Sequence, residues 1–322
     1  MELKRPLVRL PIRFDAEALE REVRALPESA WVPHPTGYVG NEAVRLITPE
    51  GKLTDDLGGE MAPTEQLLAC PYVTEVMAAI GAVWGRSRLM GLGAGADVPP
   101  HIDSHYYWRT HWRIHIPVIT NPGVTFTCGG ETVHMAAGEC WVFDSFKAHK
   151  VHNGGSEQRV HLVLDTVGGG RLRDLIEAGE RGGAEAELVK PGTVSTASLA
   201  FERVNSPRVM SPWEIRAHLG FLVQHAMPHP LLAPVLKRLD DFAADWAAVW
   251  AQFEAEEAGW PDYLRLLNGL KADLMTIGGA PVQLRNRLSL YQVLDHMVLL
   301  NLFADAQAVA SKAAREPQRL AS

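Results

Sequence analysis

At 322 residues, with a net charge of −7 and 47% hydrophobic content, the chain has apolar material for one large domain or two ordinary ones. Its acidic balance gives no global pull toward nucleic acid or an anionic membrane surface. Its three cysteines (Cys70, Cys128, Cys140) are widely spaced and form no CxxC pair. They fit reduced thiols in a cytoplasm better than a disulfide framework.

Taken in chain order, the N-terminal stretch MELKRPLVRLPIRFDAEALE has no apolar run of signal-peptide length. Residues 7–13 read as a short strand. Asp15 caps a helical pattern that runs to about Leu26. Residues 43–48 read as a strand, 73–83 as a short helix, and 87–92 as a strand entering a Gly/Pro-rich turn, GLGAGADVPP. That turn lacks the GxGxxG spacing of a dinucleotide loop, and Pro99-Pro100 blocks a following helix.

From 100 to 167 one short strand follows another: 112–118, 123–128, 132–135, 140–143 and 159–166, separated by Asn-Pro-Gly, Gly-Gly, Ala-Gly-Glu and Asn-Gly-Gly turns. This pattern predicts a mainly β core of two packed sheets, a jelly roll or cupin-like double-stranded β-helix, with an N-terminal α/β flank. The segment 171–199 is weakly patterned and Gly-punctuated, and reads as a linker or a mobile loop. Beyond it Ser211-Pro212-Trp213-Glu214 is a capping-box start. Helical patterns follow at about 212–226, 230–255, 260–275 and 283–305. The expected organisation is a β domain over 1–170, the linker, and a C-terminal α-helical bundle over 200–322. Within that bundle the apolar run 288–303 is the expected surface for a homodimer. It is broken by Gln292, Asp295, His296 and Asn301 and is no membrane span. The bundle could instead cap the β domain or simply pack on it.

The chemistry concentrates between residues 100 and 165, where eight of the chain's 13 histidines fall. His101 and Asp103 are two apart, so on an extended segment both side chains point the same way and can grip one ion. A histidine must complete the set, and His149 and His152 compete for that place. Two imidazoles and one carboxylate with open positions left over form the facial triad of non-haem Fe(II) oxygenases. Period-two alternation puts Arg113 and His115 on one face of their strand, with Ile114 and Ile116 on the other. It does the same for Arg159 and His161 against Val160, Leu162 and Leu164. Arginine and histidine turned inward are costly in a dry core unless paired, so both strands predict a polar, ligand-filled interior. A guanidinium binds a carboxylate through two parallel hydrogen bonds, which suits Arg159 to the far carboxylate of 2-oxoglutarate. A salt bridge from Arg159 to Asp165 or Glu139 is the plainer reading.

The order His-x-Asp, Arg-x-His-x-Pro-Val, Gly-Glu-x-Trp-x-Phe-Asp, Ser-Phe-x-x-His-x-Val-x-Asn and Arg-x-His-Leu-x-x-Asp resembles the aspartyl/asparaginyl β-hydroxylase family. The similarity extends over roughly residues 30–167 and is denser in motifs from 100. It implies a double-stranded β-helix that uses Fe(II), 2-oxoglutarate and O2. His101, Asp103 and His149 are then the metal ligands and His152 a neighbour. The resemblance also implies Arg159 as the anchor of the 2-oxoglutarate distal carboxylate, with Arg113 and His115 as further contacts to it. Asp103 makes the chain more similar to bacterial members, which include hydroxylases of free amino acids such as proline. It departs at Met90, where some members carry a serine.

The expected activity is hydroxylation of an unactivated C–H of an amino acid or similar small molecule, with succinate and CO2 as co-products. The alternatives are hydroxylation of an Asp, Asn or other residue in a peptide or protein, and a cupin-like metal-binding protein without 2-oxoglutarate turnover. His105, Tyr106, Tyr107, Trp108 and Arg109 directly follow the ligand pair and are the expected substrate wall, with Arg109 or His111 to hold a substrate carboxylate. A small-molecule or peptide substrate is the expected partner, with no nucleic acid and no membrane.

Overall fold

The computed structural model describes residues 3–196, 199–278 and 281–303. The chain divides into two compact units. The first comprises residues 1–103 and 107–205, the second 104–106 and 206–322.

In the first unit the elements run β1 (Leu7–Phe14), α1 (Ala16–Ala25), β2 (Val32–Pro33), β3 (Asn41–Pro49), β4 (Met61–Pro63), α2 (Glu65–Leu68), α3 (Pro71–Ile80), β5 (Val83–Leu92) and β6 (Asp97–His101). Then come α4 (Tyr106–Thr110), β7 (Trp112–Ile119), β8 (Val124–Cys128), β9 (Glu131–Val133), β10 (Glu139–Phe143), β11 (His149–Asn153) and β12 (Arg159–Gly168). The unit closes with α5 (Gly170–Arg181), β13 (Glu187–Val189) and β14 (Ala200–Phe201).

The strands form two sheets. The larger has ten strands in the order β13-β1-β10-β7-β12-β5-β3-β2, with β14 added on β5 and β4 on β3. The smaller runs β6-β11-β8-β9. Alternation decides what each face of the large sheet carries. Ile114, Ile116 and Val118 of β7, Val160, Leu162 and Leu164 of β12, and Val44 and Leu46 of β3 face an apolar layer shared with α1, α3 and α5. The opposite face packs on the small sheet through Leu7, Leu92 and Phe143 against Phe126, Cys128 and Val151. Helices therefore cover one face of the large sheet and the small sheet covers the other. This is the double-stranded β-helix expected from the strand pattern.

The structure redraws three segments. The expected turn 91–100 ends in β6, because the prolines of DVPPH sit on the edge strand of the small sheet, where a missing N–H costs no ladder bond. The expected linker 171–199 holds α5 and β13. Leu172 and Ile176 of α5 are buried, and Gly179 lies so close to β1 that an added Cβ would stand 2.6 Å from the Arg9 carbonyl oxygen. The division between units consequently falls after Asn205 rather than at 199.

The second unit contains α6 (Pro212–His225), α7 (Leu232–Phe253), α8 (Trp260–Ile277) and α9 (Leu290–Met297). Ser211 caps α6 by accepting the Glu214 amide. Trp246, Tyr263 and Phe303 pack ring against ring at its core. The helix expected over 283–305 is shorter. Residues 283–289 form a tight turn with Arg287 at φ 71, closed by the Gln283–Ser289 bridge, and residues 304–305 lie outside the described ones. Most apolar side chains of the run offered as a dimer surface, Leu290, Val293, Leu294 and Met297 among them, are buried within the chain.

Candidate metal centre and ligand cavity

β6 and β11 are antiparallel neighbours with His101 and His149 in register, and the two ring centroids lie 4.1 Å apart. Asp103 follows β6 and is held by its own amide, which donates to the Ser145 carbonyl at 3.0 Å. Its carboxylate stands 4.0 Å from His101 Nε2 and 3.8 Å from His149 Nε2. One donor atom from each of the three residues falls within 4.8 Å of the others.

The tautomers suit a cation. His101 Nδ1 donates to the Pro99 carbonyl and His149 Nδ1 to the Lys147 carbonyl, both at 2.9 Å. Each Nε2 is left as a lone pair aimed at the common point, as a backbone-oriented metal ligand requires. His149 Nε2 is buried and has no hydrogen-bond partner. Burial, opposed in part by Asp103, lowers the His149 pKa to about 4 and keeps the ring neutral. Two nitrogens and one carboxylate oxygen form a donor set that fits a first-row divalent metal and leaves positions open. His152 is excluded from this point by alternation. It lies on the exposed face of β11 and pairs with Asp97 at 2.8 Å.

Beside the triad a cavity of about 180 Å³ opens onto the same face of the large sheet. Register sets its lining in rows. Arg113 of β7 stands opposite Asp165 of β12, His115 opposite Val163, and Val163 in turn opposite Arg88 of β5. Arg113 Nε donates to Asp165 at 3.0 Å and its Nη1 to Asp103 at 3.1 Å. This guanidinium thus ties the sheet to the carboxylate of the triad.

Arg159 is different. It is only 4% exposed, and both its Nε and Nη2 lack any partner. The plainer salt-bridge readings fail, because Asp165 is held by Arg113 and Glu139 pairs with Arg9 at 2.8 Å. Burial without a counter-ion lowers the Arg159 pKa to about 9. His115 and His161 share this interior, their rings 5.7 Å apart. His115 Nδ1 and both nitrogens of His161 are also without partners, and burial drives both pKa values well down. A buried polar group left bare costs free energy, so Arg159 and His115 on the cavity lining, with His161 beside His115, mark a place built for a polar ligand.

The expected substrate wall does not line this cavity. Tyr107 is buried, stacks on His111 at 3.8 Å, and its hydroxyl accepts the Arg86 amide at 2.9 Å. The Trp108 ring lies 3.8 Å from the Arg113 guanidinium carbon and 5.1 Å from that of Arg86. Tyr106 belongs to the second unit and donates its hydroxyl to Glu214 of the same unit at 2.6 Å. His105 and Arg109 are likewise absent from the lining. His111 is committed to a buried contact with Glu202 at 3.0 Å.

What sequence reasoning passed over is His34, Arg86 and Arg88, which do line the cavity. The signal for the arginines was present. In VWGRSRLMGL the two are spaced by two on an otherwise apolar strand, and alternation turns both toward one face.

Fold and site together define a double-stranded β-helix protein in which two histidines and one carboxylate that could hold a metal ion stand beside a cationic cavity. The family model for Aspartyl/Asparaginyl beta-hydroxylase matches residues 57–168, the stretch that holds the triad, Arg113, His115 and Arg159. Over 79 residues, 24% of its length, the chain is 29% identical to an L-proline cis-4-hydroxylase of Rhizobium meliloti (strain 1021), and this match spans only 28% of that relative. Among solved structures the chain is similar to an oxidoreductase of the 2OG-Fe(II) oxygenase family from Burkholderia pseudomallei, at 18% identity, TM-score 0.36, 52% of this chain and 87% of that one. A Pseudomonas putida prolyl-4-hydroxylase is similar at 14% identity, TM-score 0.36, 51% of this chain and 92% of that one. Among the described residues no helix is long and apolar enough to cross a membrane.

Proposed function

We propose that the protein is an Fe(II)- and 2-oxoglutarate-dependent dioxygenase that hydroxylates an unactivated C–H of an amino acid or a small amino-acid-like molecule. The observation that carries this reading is the pairing of the triad with an unpartnered, buried Arg159 in one interior. A metal alone would need no such guanidinium, and an anion alone would need no triad. The matched family and the L-proline hydroxylase relative support the same reaction class.

In this reading His101, Asp103 and His149 hold Fe(II). The iron supplies the activation of O2 coupled to oxidative decarboxylation of 2-oxoglutarate, which yields succinate and CO2. Arg159 binds the distal carboxylate of 2-oxoglutarate through two parallel hydrogen bonds. His115 lies one β-strand away and supplies a further donor from its neutral ring. Arg113 orients Asp103 by donating to it, and its second anchor on Asp165 keeps that arm from moving. Phe126 and Phe143 ring the His149 side of the cavity and exclude water there.

The test is succinate formation from 2-oxoglutarate in air. His149→Ala should lower Fe(II)-dependent turnover by on the order of 1,000-fold or more, because a ligand is lost, whereas His152→Ala should stay within about twofold. A dead His152→Ala enzyme with an active His149→Ala enzyme would overturn the ligand assignment.

A further inference from the structure

Asp103 and Arg113 are separated by ten residues of chain and meet again in space, where Arg113 Nη1 donates to the Asp103 carboxylate at 3.1 Å. Trp108 lies midway between them in the chain, and its ring stands 3.8 Å from the Arg113 guanidinium carbon. The stretch that begins with the carboxylate of the triad therefore closes on itself. The backbone joins Asp103 to Trp108, the indole meets Arg113, and Arg113 returns to Asp103 through a hydrogen bond.

Arg113 has a competitor. Arg86 shares Asp165 with it, at 3.9 Å against 3.0 Å, and the Arg86 guanidinium carbon lies 5.1 Å from the same Trp108 ring. The two side chains are only 12% and 16% exposed, so water screens their repulsion weakly. Hydrogen bonds at Nε and Nη1 hold the Arg113 guanidinium by its edge. They resist sliding in its plane but not tilting out of it. An indole lying over the group opposes the tilt, and the negative face of the ring attracts the charge.

Trp108 is itself held in place by its neighbours in α4. The Tyr107 hydroxyl accepts the Arg86 amide at 2.9 Å, and the Tyr107 ring stacks on His111 with 16° between the planes. His111 Nδ1 donates to the Tyr107 carbonyl at 2.7 Å. Its Nε2 meets Glu202 at 3.0 Å, and Glu202 also accepts from Asn205 Nδ2 at 3.1 Å. Gly85 of β5 lets this cluster seat against the sheet, since an added Cβ would stand 2.9 Å from the Tyr107 hydroxyl and 3.1 Å from the His111 ring. Trp108 has no place in the cavity lining, so what it does for the site it does through Arg113.

We infer that Trp108 is a positioning residue of the metal centre, which holds Arg113, and through it the Asp103 carboxylate, in the orientation that receives the cation. The inference rests on the reading of His101, Asp103 and His149 as metal ligands and goes beyond it. The aromatic segment after Asp103 then serves the carboxylate ligand and not the substrate. Removing a partner that orients a ligand from outside the coordination shell changes metal affinity or activity by on the order of 10- to 100-fold.

The test is a metal titration of the metal-free protein, anaerobically with Fe(II) by calorimetry and separately with Co(II), whose visible bands report the coordination of the ion. Trp108→Leu keeps an apolar side chain and removes the aromatic face. It should raise the Fe(II) dissociation constant on the order of 10-fold and shift the Co(II) bands. Trp108→Phe should recover most of the affinity, to within about threefold of the unmodified protein. Arg113→Met should weaken Fe(II) binding by itself. Adding Trp108→Leu to it should then change the constant by less than about twofold, because the ring acts through a guanidinium that is gone. Where Trp108→Leu does not fold, Trp108→Phe makes the same comparison, and its smaller loss should vanish in the Arg113→Met background. The inference is overturned if the folded Leu variant binds Fe(II) as the unmodified protein does, if the Leu and Phe variants are equally weak, or if the Trp108 and Arg113 losses simply add. An unmodified protein that takes up neither Fe(II) nor Co(II) would instead overturn the ligand reading of the triad, and this inference with it.

Discussion

The two faces of the large sheet are built from the same strands and differ in what they leave undone. On the helical side Ile114, Ile116, Leu162 and Leu164 are fully buried in a continuous apolar layer. One residue away along the same strands, Arg159, His115 and His161 are as deeply buried, yet five of their nitrogens have no partner. The first face gains stability from burying apolar surface. The second gives stability up, since desolvated polar groups are costly until something binds them. A change on one face should therefore be read in the melting curve, and a change on the other in ligand binding.

The largest stability effect belongs to the helical face. Leu162→Ala removes a side chain packed opposite Ile116 and Leu89 and should cost about 3 kcal/mol in denaturant unfolding, with the 2-oxoglutarate requirement of the surviving folded protein unchanged. A large shift in that requirement would break the division between the faces. Arg159→Met acts in the opposite sense. It removes a buried charge without a counter-ion, so the metal-free, ligand-free protein should gain on the order of 2 kcal/mol. If it instead loses stability, the guanidinium has a partner within the fold and the ligand reading of this end is wrong.

The remaining stability effect is pH dependence. Burial lowers the pKa of His115, His149 and His161, to about 4 for His149, while the unfolded chain titrates near its ordinary value of about 6.5. As the pH falls through that value the unfolded state takes up protons that the folded state refuses. The stability from these neutral rings is present above about pH 6.5 and is lost progressively toward pH 4. Melts of the metal-free protein should drop by about 5 °C or more between pH 7.5 and 5. A flat profile over that range would mean that the rings are not held neutral by burial.

Much of this contrast was legible in the chain itself, because a period of two in RIHI and RVHLVLD assigns faces without any coordinates. The His-x-Asp pair was visible for the same reason. The choice between His149 and His152 was not decided by the residues alone, since it depends on which face of β11 meets the small sheet's inner side. The aromatic loop after Asp103 misled because nearness in sequence to a metal ligand is not nearness to the cavity. Tyr107 and Trp108 back the arginines instead. The missed helix α5, GRLRDLIEAGER, is made mostly of good helix formers, but the glycines on either side of it read as turn signals and hid it. The strand was predicted to start at Ser87, which cut Arg86 off from Arg88 and hid their shared face.

The measurement that tests the central claim most directly is an anaerobic titration of the metal-free protein with Fe(II) and then with 2-oxoglutarate, run in parallel on Arg159→Met. The expected result is a weak visible charge-transfer absorption that saturates near one equivalent of each in the unmodified protein. In Arg159→Met the iron step should be intact and the 2-oxoglutarate requirement raised on the order of 100-fold. Iron binding with no absorption on adding 2-oxoglutarate, or an Arg159→Met titration that overlays the unmodified one, would contradict the account.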